Sequence, residues 1–348
     1  MQRFGIWLVA ILACVWSGAL AGERPVVAVL AQNDGTEITD FMVPYGVIAS
    51  AGVADVVAVA AEDAPIDFMN GLEARPDVTL ADFDASHPGG AQFVIIPAFH
   101  SLDNQVTRDW LKAQAAKGAV LVSICDGAMV LAGTGLLNGR KATGHFYSLS
   151  MRRDDFPDVH WQTNVRFIKD GNFVTTSGVS ASLPASLYIV ELIAGRDKAL
   201  GVAREHGLDD YGTAHDSDQF VISWRDYVRA AWAFLTTWPR DAYALRVEDG
   251  VDEVAFAFAG DMLPRTYRAH VAVVADAPEV VTRHGLRLRR NAAEASGRAV
   301  VVSFGEEEGT LRVRAGASAA SDVAAYLSER YGTGMARFVT TQMEYAWE

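Results

Sequence analysis

The sequence predicts an α/β fold: a parallel sheet covered by helices on both faces, followed by a second, smaller α/β domain. Short apolar runs alternate with helical patterns along the first half of the chain, which is typical of strands buried on both faces. The length of 348 residues suits two domains. Because 50% of the residues are hydrophobic and 21% are charged, the chain can bury a core that needs no disulfide or metal.

The elements of the first domain follow from apolar runs bounded by turn residues. PVVAVLA and FVIIP predict buried strands, and Gly118 is well placed to end a helix. The predicted order is strand Pro25–Ala31, helix Ile38–Ala51, strand Val56–Ala60, strand Phe93–Pro97, helix Thr107–Lys117, strand Ala119–Ile124 and a helical run Ala128–Ala132.

Residues 1–21 carry the features of an export signal. Arg3 precedes an apolar segment, Ile6–Leu20, which ends in the small residues of Ala19–Ala21. We therefore expect cleavage after this segment and a mature periplasmic or secreted chain that begins at Gly22. An uncleaved membrane anchor and a lipid-modified Cys14 are alternatives, and they also imply export.

Cys125 is the candidate nucleophile. Of the two cysteines, Cys14 lies in the export signal, so the mature chain offers Cys125 no disulfide partner. Small residues surround Cys125 between a strand and a helix, which is the pattern of a nucleophile elbow whose sharp turn needs a residue such as Gly127. A helix N-terminus beside the sulfur favours thiolate, so we expect reaction well below the pH of an ordinary thiol. An inert buried cysteine is the alternative.

Several segments together resemble the ThiJ/PfpI family of the class I glutamine-amidotransferase-like superfamily. The pattern is most similar to the amidotransferase-like domain of AraC-type regulators and to isonitrile hydratases. The resemblance implies a flavodoxin-like parallel sheet sandwiched by helices, formed by residues 22–207. The matching segments are GTEITDFMVPYGV, ICDGAMVLA, GTGLLNGRKATGHF, FPDVHW, DGNFVTTSGVSAS and LYIVELIAGRDKALGVARE.

The resemblance also implies the roles of three residues. Cys125 matches the nucleophile, Asp40 matches a carboxyl group against the sulfur, and His145 matches a histidine near the cysteine. A buried carboxyl beside a thiolate has a raised pKa and keeps a proton to donate. Without the family, Asp40 is interpreted as a solvated acid in a first helical turn and His145 as a structural histidine.

The loop after the third strand departs from the family's Pro-Gly-Gly and reads Pro-Ala-Phe-His at residues 97–100. Ala98 can still offer a backbone N–H beside that of Asp126 to a developing oxyanion. Phe99 and His100 bring side chains that narrow the pocket or add their own chemistry. The predicted oxyanion and pocket residues are Ala98, Phe99, His100, Asp126 and Gly127.

Residues 208–250 are predicted to form a linker and a docking helix. The segment LDDYGTAHDSDQ lacks the spacing of a calcium loop, so we interpret it as a solvated connector, with a hard-cation site as the alternative. The helix that follows is expected to pack between the domains through an aromatic face. That face comprises Trp224, Tyr227, Val228, Ala231, Trp232 and Leu235.

Residues 251–348 are interpreted as a degenerate α/β repeat without a nucleophile. Residues 272–278 and 284–286 are similar to residues 59–65 and 70–72, and a second pair of segments near Gly316 and Gly178 matches in the same order. Such a copy serves packing, specificity or oligomerisation, and chance similarity of alanine-rich segments is the alternative.

Two classes of function fit these features. The first is a cysteine-dependent hydrolase or hydratase/lyase whose thiolate adds to a carbonyl, isonitrile or amide carbon of a small molecule. Peptidase activity is a further possibility that the family name implies. The second is a ligand-binding or redox-sensing module that uses the same pocket. The retained Asp40, Cys125 and His145 favour the enzyme, and the altered loop favours the sensor.

The charge of the chain bears on its partners. Lys and Arg number 30 against 43 Asp and Glu, and the net charge of -13 would repel a phosphate backbone. We therefore expect a small-molecule partner and no nucleic acid, and we leave a homo-oligomer open. No cofactor or metal is expected.

Overall fold

The computed structural model describes residues 24–292, 294–295, 297–305 and 309–347. The predicted export signal and Cys14 lie outside the described residues. The helices are α1 (Ile38–Ser50), α2 (Leu80–Ser86), α3 (Gln105–Ala116), α4 (Gly127–Ala132), α5 (Leu149–Asp155), α6 (Ser182–Ala194), α7 (Arg196–Glu205), α8 (Trp224–Thr236), α9 (Glu253–Met262), α10 (Ser318–Tyr331) and α11 (Thr333–Gln342).

The first unit contains eleven strands among the described residues. They are β1 (Val26–Ala31), β2 (Asp55–Ala60), β3 (Ile66–Asp67), β4 (Glu73–Arg75), β5 (Val78–Thr79), β6 (Phe93–Ile96), β7 (Val120–Ser123), β8 (Lys141–Ala142), β9 (His160–Trp161), β10 (Phe167–Asp170) and β11 (Phe173–Thr176). The second unit contains β12 (Asp241–Arg246), β13 (Ala269–Val274), β14 (Glu279–Val281), β15 (Arg287–Arg289), β16 (Val300–Phe304) and β17 (Leu311–Val313).

The main sheet has the order β10-β11-β7-β6-β1-β2-β5, and its neighbouring strands are parallel except for β10 and β11. Alternate residues of β1 face two different cores. Val27 and Val29 pack with α1, α6 and α7, whereas Ala28 and Leu30 pack with α2, α3 and α4. The sequence prediction of a parallel sheet covered on both faces is therefore confirmed, with element bounds shifted by one or two residues.

A second parallel sheet has the order β13-β12-β16-β17. In it, β12 lies between β13 and β16 as β1 lies between β2 and β6, and α9 follows β12 as α1 follows β1. This is the arrangement that a degenerate copy of the first unit would have. Because β12 begins at Asp241 and is hydrogen-bonded within this sheet, the second unit begins about ten residues before the predicted position 251.

The two units share one hydrophobic core. Helices α1 and α9 pack against each other, and both contribute buried residues to the same cluster. An antiparallel sheet of order β14-β15-β4-β3 joins a hairpin from each unit, with β15 paired to β4. Since the core and a sheet both cross the boundary, the second unit is positioned to contribute side chains to the first.

The connector and α8 differ from the sequence predictions. The connector is not solvated throughout: its acids are exposed, but Tyr211 is buried and His215 lies 3.0 Å from Glu344 through its Nε2. Helix α8 packs through Ala233 against Met335 and Phe338 of α11, while the predicted packing face points to solvent. The expectation of an aromatic face packed between domains is therefore wrong.

The turn that begins at Cys125, after β7, requires a glycine at its third residue, Gly127. A Cβ atom at Gly127 would lie 2.1 Å from the backbone oxygen of Ile96 and 2.8 Å from that of Pro97. Neither backbone atom can move without disturbing β6. The sequence prediction that Gly127 permits the sharp turn agrees with this geometry.

We predict that Gly127→Ala lowers the free energy of unfolding by about 3 kcal/mol, because the new methyl group overlaps backbone atoms. Gly201→Ala is the matched control: a Cβ there meets no atom within 4 Å, and Gly201 lies inside α7. Alanine should be neutral or stabilise by up to about 1 kcal/mol at that position. Denaturant unfolding of both variants measures the difference, and equal stabilities would contradict this account of the turn.

Candidate active site

Cys125 lies between the end of β7 and the start of α4. Its φ angle of 54° is in the left-handed region, which few residues other than glycine adopt. The Cys125 N–H donates to Thr176 Oγ1 at 3.2 Å, and the Asp126 N–H donates to the Cys125 sulfur. Cys125 therefore has the strand-turn-helix setting of a nucleophile elbow, at the carboxyl edge of the main sheet.

Two buried carboxyl groups lie at the start of α1. Glu37 caps the helix and accepts a hydrogen bond from the Asp40 N–H at 2.6 Å. Asp40 Oδ2 accepts from the Ala98 N–H at 3.1 Å, while no group among the described residues donates to its Oδ1. A fully buried carboxylate oxygen without a donor is costly, so this position favours a protonated carboxyl.

The surroundings raise the pKa values of both acids. Burial, with help from the charge of Asp261, raises the pKa of Asp40 to about 7, although the hydrogen bond from Ala98 opposes this. Burial and the charges of Asp261 and Asp40 raise the pKa of Glu37 well above its ordinary value. The raised pKa values favour the protonated forms of both acids, and at pH 7 Asp40 is close to its midpoint.

The second unit supplies the charge that balances these acids. Arg265 lies 2.7 Å from Asp261 Oδ1 through its Nε and 3.4 Å from Glu37 Oε1 through its Nη2. Asp261, on α9, also accepts a hydrogen bond from Thr39 Oγ1 at 3.2 Å. The acids of α1 and the charged pair of the second unit thus form one buried network.

His145 is buried beside the thiol. Its Nε2 lies 3.1 Å from the backbone oxygen of Gln342, which can only accept, so Nε2 carries the hydrogen. This leaves Nδ1 as the basic nitrogen. Burial lowers the pKa of His145, so the ring is neutral at pH 7 and can take a proton.

The Asp126 side chain is held in place by two polar groups. Its Oδ1 accepts a hydrogen bond from Ser148 Oγ, and Arg152 Nη1 lies 3.9 Å away. Arg152 is almost fully buried, with its guanidinium 4.9 Å from the centre of the Trp161 ring. Asp126 is thus fixed by a hydroxyl and a buried cation.

The predicted oxyanion donors are engaged elsewhere. The Ala98 N–H is bonded to Asp40, and the Gly127 N–H donates to the Ile124 oxygen at 2.9 Å. The expectation that Ala98 offers its N–H to an oxyanion is therefore wrong for this state, because the carboxyl of Asp40 occupies it. Phe99 is buried in the core while its neighbour His100 is exposed, and both border the cavity described below.

The expectation of a lowered thiol pKa is also wrong. Burial raises the pKa of Cys125 well above its ordinary value, and the charges of Asp40, Asp126 and Glu37 raise it further. The single hydrogen bond from the Asp126 N–H opposes these effects without overcoming them. At neutral pH the site therefore contains a thiol and a neutral imidazole, beside the Glu37 and Asp40 carboxyl groups whose pKa values are raised.

Three side chains of the site could hold a metal ion. The ligand atoms of Cys125, Asp126 and His145 all lie within 4.8 Å of one another. A thiolate, an imidazole and a carboxylate are ligand types that Zn²⁺ accepts. The sequence analysis did not anticipate this set, because the three residues come together through turns rather than through a recognisable spacing.

The site opens into a cavity of about 510 Å³ to which both units contribute. Its polar lining includes Glu37, Asp126, His145 and Arg265. Much of the rest of the wall is apolar and includes Met69, Phe99, Met129, Val179, Ile222 and Phe338. A small molecule with an apolar body and one reactive polar centre fits such a lining.

Sequence reasoning missed four groups of this site: Glu37, Arg152, Asp261 and Arg265. Glu37 had a local signal, because two acids three residues apart before an apolar helix place both in its first turn. Asp261 and Arg265 had none. They reach the site through the packing of α9 on α1, more than 200 residues along the chain from Glu37.

Comparison with known proteins gives the family of the first unit. Residues 26–192 match the model of the DJ-1/PfpI family. These residues belong to the DJ-1/PfpI family. The resemblance stated from the sequence is thereby confirmed, and the second unit lies beyond the matched residues.

The relatives include an enzyme and a transcriptional regulator. An isonitrile hydratase of Pseudomonas putida is 29% identical over 166 residues, 46% of this chain and 68% of the hydratase. The transcriptional regulator GbdR of Pseudomonas aeruginosa is 29% identical over 137 residues, 38% of this chain and 36% of the regulator. The crystal structure of Drosophila melanogaster DJ-1beta has a TM-score of 0.48 and 21% identity, covering 53% of this chain and 98% of that one.

We predict that the alkylation rate of Cys125 is low at pH 7 and still rises above about pH 9, because a raised pKa leaves less thiolate at neutral pH than in an ordinary thiol of pKa about 8.5. Iodoacetamide kinetics against pH measure the midpoint, and Cys125→Ser gives the background. Glu37→Gln should move the midpoint down, because it removes one of the charges that raise the pKa. A midpoint below about pH 8 in the wild type would contradict the described electrostatics.

Proposed function

We propose that the DJ-1/PfpI unit is a cysteine-dependent hydratase or hydrolase that acts on a small, apolar electrophile, with isonitriles as the favoured class. The observation that carries the proposal is the buried Asp40 carboxyl, whose Oδ1 has no partner among the described residues, in the electrostatic range of the Cys125 thiol. Nucleophile and acid thus serve one site. The similarity to an isonitrile hydratase supports the same class.

An isonitrile needs such a pair because its terminal carbon accepts both the nucleophile and the proton. In the proposed first step, the Cys125 sulfur bonds to that carbon while its proton passes to His145 Nδ1. Asp40 gives its proton to the same carbon. The product of this step is a thioimidate, R–N=CH–S–Cys125, and Asp40 becomes a carboxylate.

Water completes the reaction in the proposed second step. Its oxygen bonds to the thioimidate carbon, the C–S bond breaks, and the proton held by His145 returns to the sulfur. One water proton goes to nitrogen and the other restores Asp40. The sum is R–NC plus water giving R–NH–CHO, with the enzyme unchanged. The pKa of Asp40, about 7, is near the optimum for a group that both gives and regains a proton at neutral pH.

A redox or ligand sensor is the second candidate, and one observation favours it. The Ala98 N–H is already bonded to Asp40, so the site lacks the second backbone donor that stabilises an oxyanion in acyl transfer. A sensor would instead use Cys125 as a ligand contact, or let hydrogen peroxide oxidise its thiolate to sulfenate with release of water. The absence of a nucleic-acid partner stays a prediction, because a transcriptional regulator is among the relatives.

We predict that the wild-type protein hydrates a small alkyl or aryl isonitrile and that Asp40→Asn lowers turnover by a factor of about 10² or more, because the amide cannot donate the proton. Cys125→Ala should reduce turnover to background. Product formamide is measured by chromatography, with carbonyl and amide substrates in parallel.

Asp63→Asn is the control for loss of a carboxylate, since Asp63 is an exposed acid outside the cavity lining. Turnover that survives in Cys125→Ala would remove the covalent mechanism. No turnover with any of the three substrate classes, together with peroxide oxidation of Cys125 that changes in Asp40→Asn, would identify the sensor instead.

We also propose that the chain is exported, with periplasmic or secreted localisation. The support is the order of Arg3, the apolar segment and the small residues before Gly22. Intact-mass measurement of the protein from its native compartment is expected to give Gly22 as the first residue. Met1 at the terminus, or a lipid on Cys14, would contradict cleavage at this site.

A further inference from the structure

Helix α8 buries a small residue and exposes its large apolar side chains, which is the reverse of an ordinary surface helix. Its small residue Ala233 is buried against α11, whereas Trp224 is 70% exposed and Leu235 is 76% exposed. Val228 and Trp232 lie on the same outward face and are also exposed. An amphipathic helix normally buries this stripe, so the exposed face needs a partner.

The apolar surface continues beyond the helix. Val221 precedes it and Trp238 follows it, the latter 88% exposed. Tyr147 of the first unit joins the surface at one edge, where its hydroxyl lies 2.9 Å from that of Tyr227. Ile222 and Tyr227 also line the cavity above Cys125, so the exposed surface borders the mouth of the candidate active site.

The net charge of this surface is positive, whereas the net charge of the whole chain is negative. Residues 221–240 contain three arginines and one aspartate, whereas the chain as a whole has a net charge of -13. Asp226 is already paired with Arg229 at 2.6 Å. Arg225 lies over the Trp224 ring and Arg240 over the Phe234 ring, and neither takes part in an ion pair among the described residues.

We propose that α8 and the residues flanking it dock the protein on an anionic lipid surface. Tryptophan and tyrosine prefer the boundary between headgroups and acyl chains, and unpaired arginines beside them attract anionic headgroups. Within the described residues no helix is long and apolar enough to cross a bilayer, so α8 would lie in the plane of the interface.

Charge argues for lipid over a second copy of the chain. A second copy would bring the same unpaired arginines to the contact and no local excess of negative charge for them to bind. At physiological ionic strength, charges more than about 8 Å away are largely screened, so the local excess of arginine decides the attraction to the membrane. Docking in this way would bring the cavity mouth to the bilayer, whatever reaction the site performs.

The test is flotation of the full chain with two kinds of vesicle, one of phosphatidylcholine and one that also contains phosphatidylglycerol. The wild type should float with the anionic vesicles. Trp232→Ser with Leu235→Ser should lower the partition coefficient at least tenfold, because it removes two large apolar side chains from the contact. Arg225→Gln with Arg240→Gln should lower it several-fold on anionic vesicles only.

Val106→Ser is the control, because Val106 is an apolar residue on α3 that is also well exposed, at 61%. It should leave flotation unchanged. All variants carry the same N-terminus, so residues 1–21 contribute equally wherever they are retained. Far-UV circular dichroism and Tm confirm that each variant is folded.

Three results would overturn the proposal. The first is wild-type flotation that the Trp232→Ser, Leu235→Ser variant does not reduce. The second is equal binding to neutral and anionic vesicles. The third is a wild-type dimer in analytical ultracentrifugation that this variant abolishes, together with no binding of the protein to either kind of vesicle. That result would show that a second copy of the chain covers the exposed face of α8.

Discussion

Arg265 of the second unit lies between Asp261 and Glu37, where it pairs with Asp261 and opposes the rise in the pKa of Glu37 that burial causes. Removing one partner from a buried ion pair costs about 3–5 kcal/mol, because the remaining charge has no counter-ion. The carboxyl groups beside Cys125 therefore depend on a residue from the other half of the chain. The two units share a hydrophobic core and a β-sheet, and residues of both units contribute to the candidate active site.

Burial of the site shifts its reacting groups toward their neutral forms. Burial holds Asp40 and Glu37 as acids near neutral pH, keeps His145 neutral and raises the pKa of Cys125. A preformed thiolate would face the carboxylates on either side. In the proposed reaction the thiolate therefore forms only at the moment of attack, when His145 Nδ1 accepts the proton and the electrophile takes up the electron pair.

Local sequence patterns predicted the features that depend on interactions between residues close together in the chain. Apolar runs located the strands, and small residues around Cys125 located the turn in which Gly127 is required. The family resemblance added Asp40 and His145. The predictions that were wrong or missing concern features that depend on tertiary packing. The Ala98 N–H is bonded to Asp40, and the apolar face of α8 points to solvent. Arg265 reaches the site only because α9 packs on α1. Each of these depends on contacts between residues far apart in sequence.

Infrared difference spectroscopy between the wild type and Asp40→Asn, recorded through a pH titration, tests the central claim most directly. The account predicts a carbonyl-stretch band of a protonated carboxyl that is present at about pH 5, where an ordinary aspartate is ionised. The band should disappear with a midpoint near 7 and be missing from the variant. A wild-type spectrum without that band at about pH 5 would show an ionised Asp40 and contradict the raised pKa of this carboxyl group.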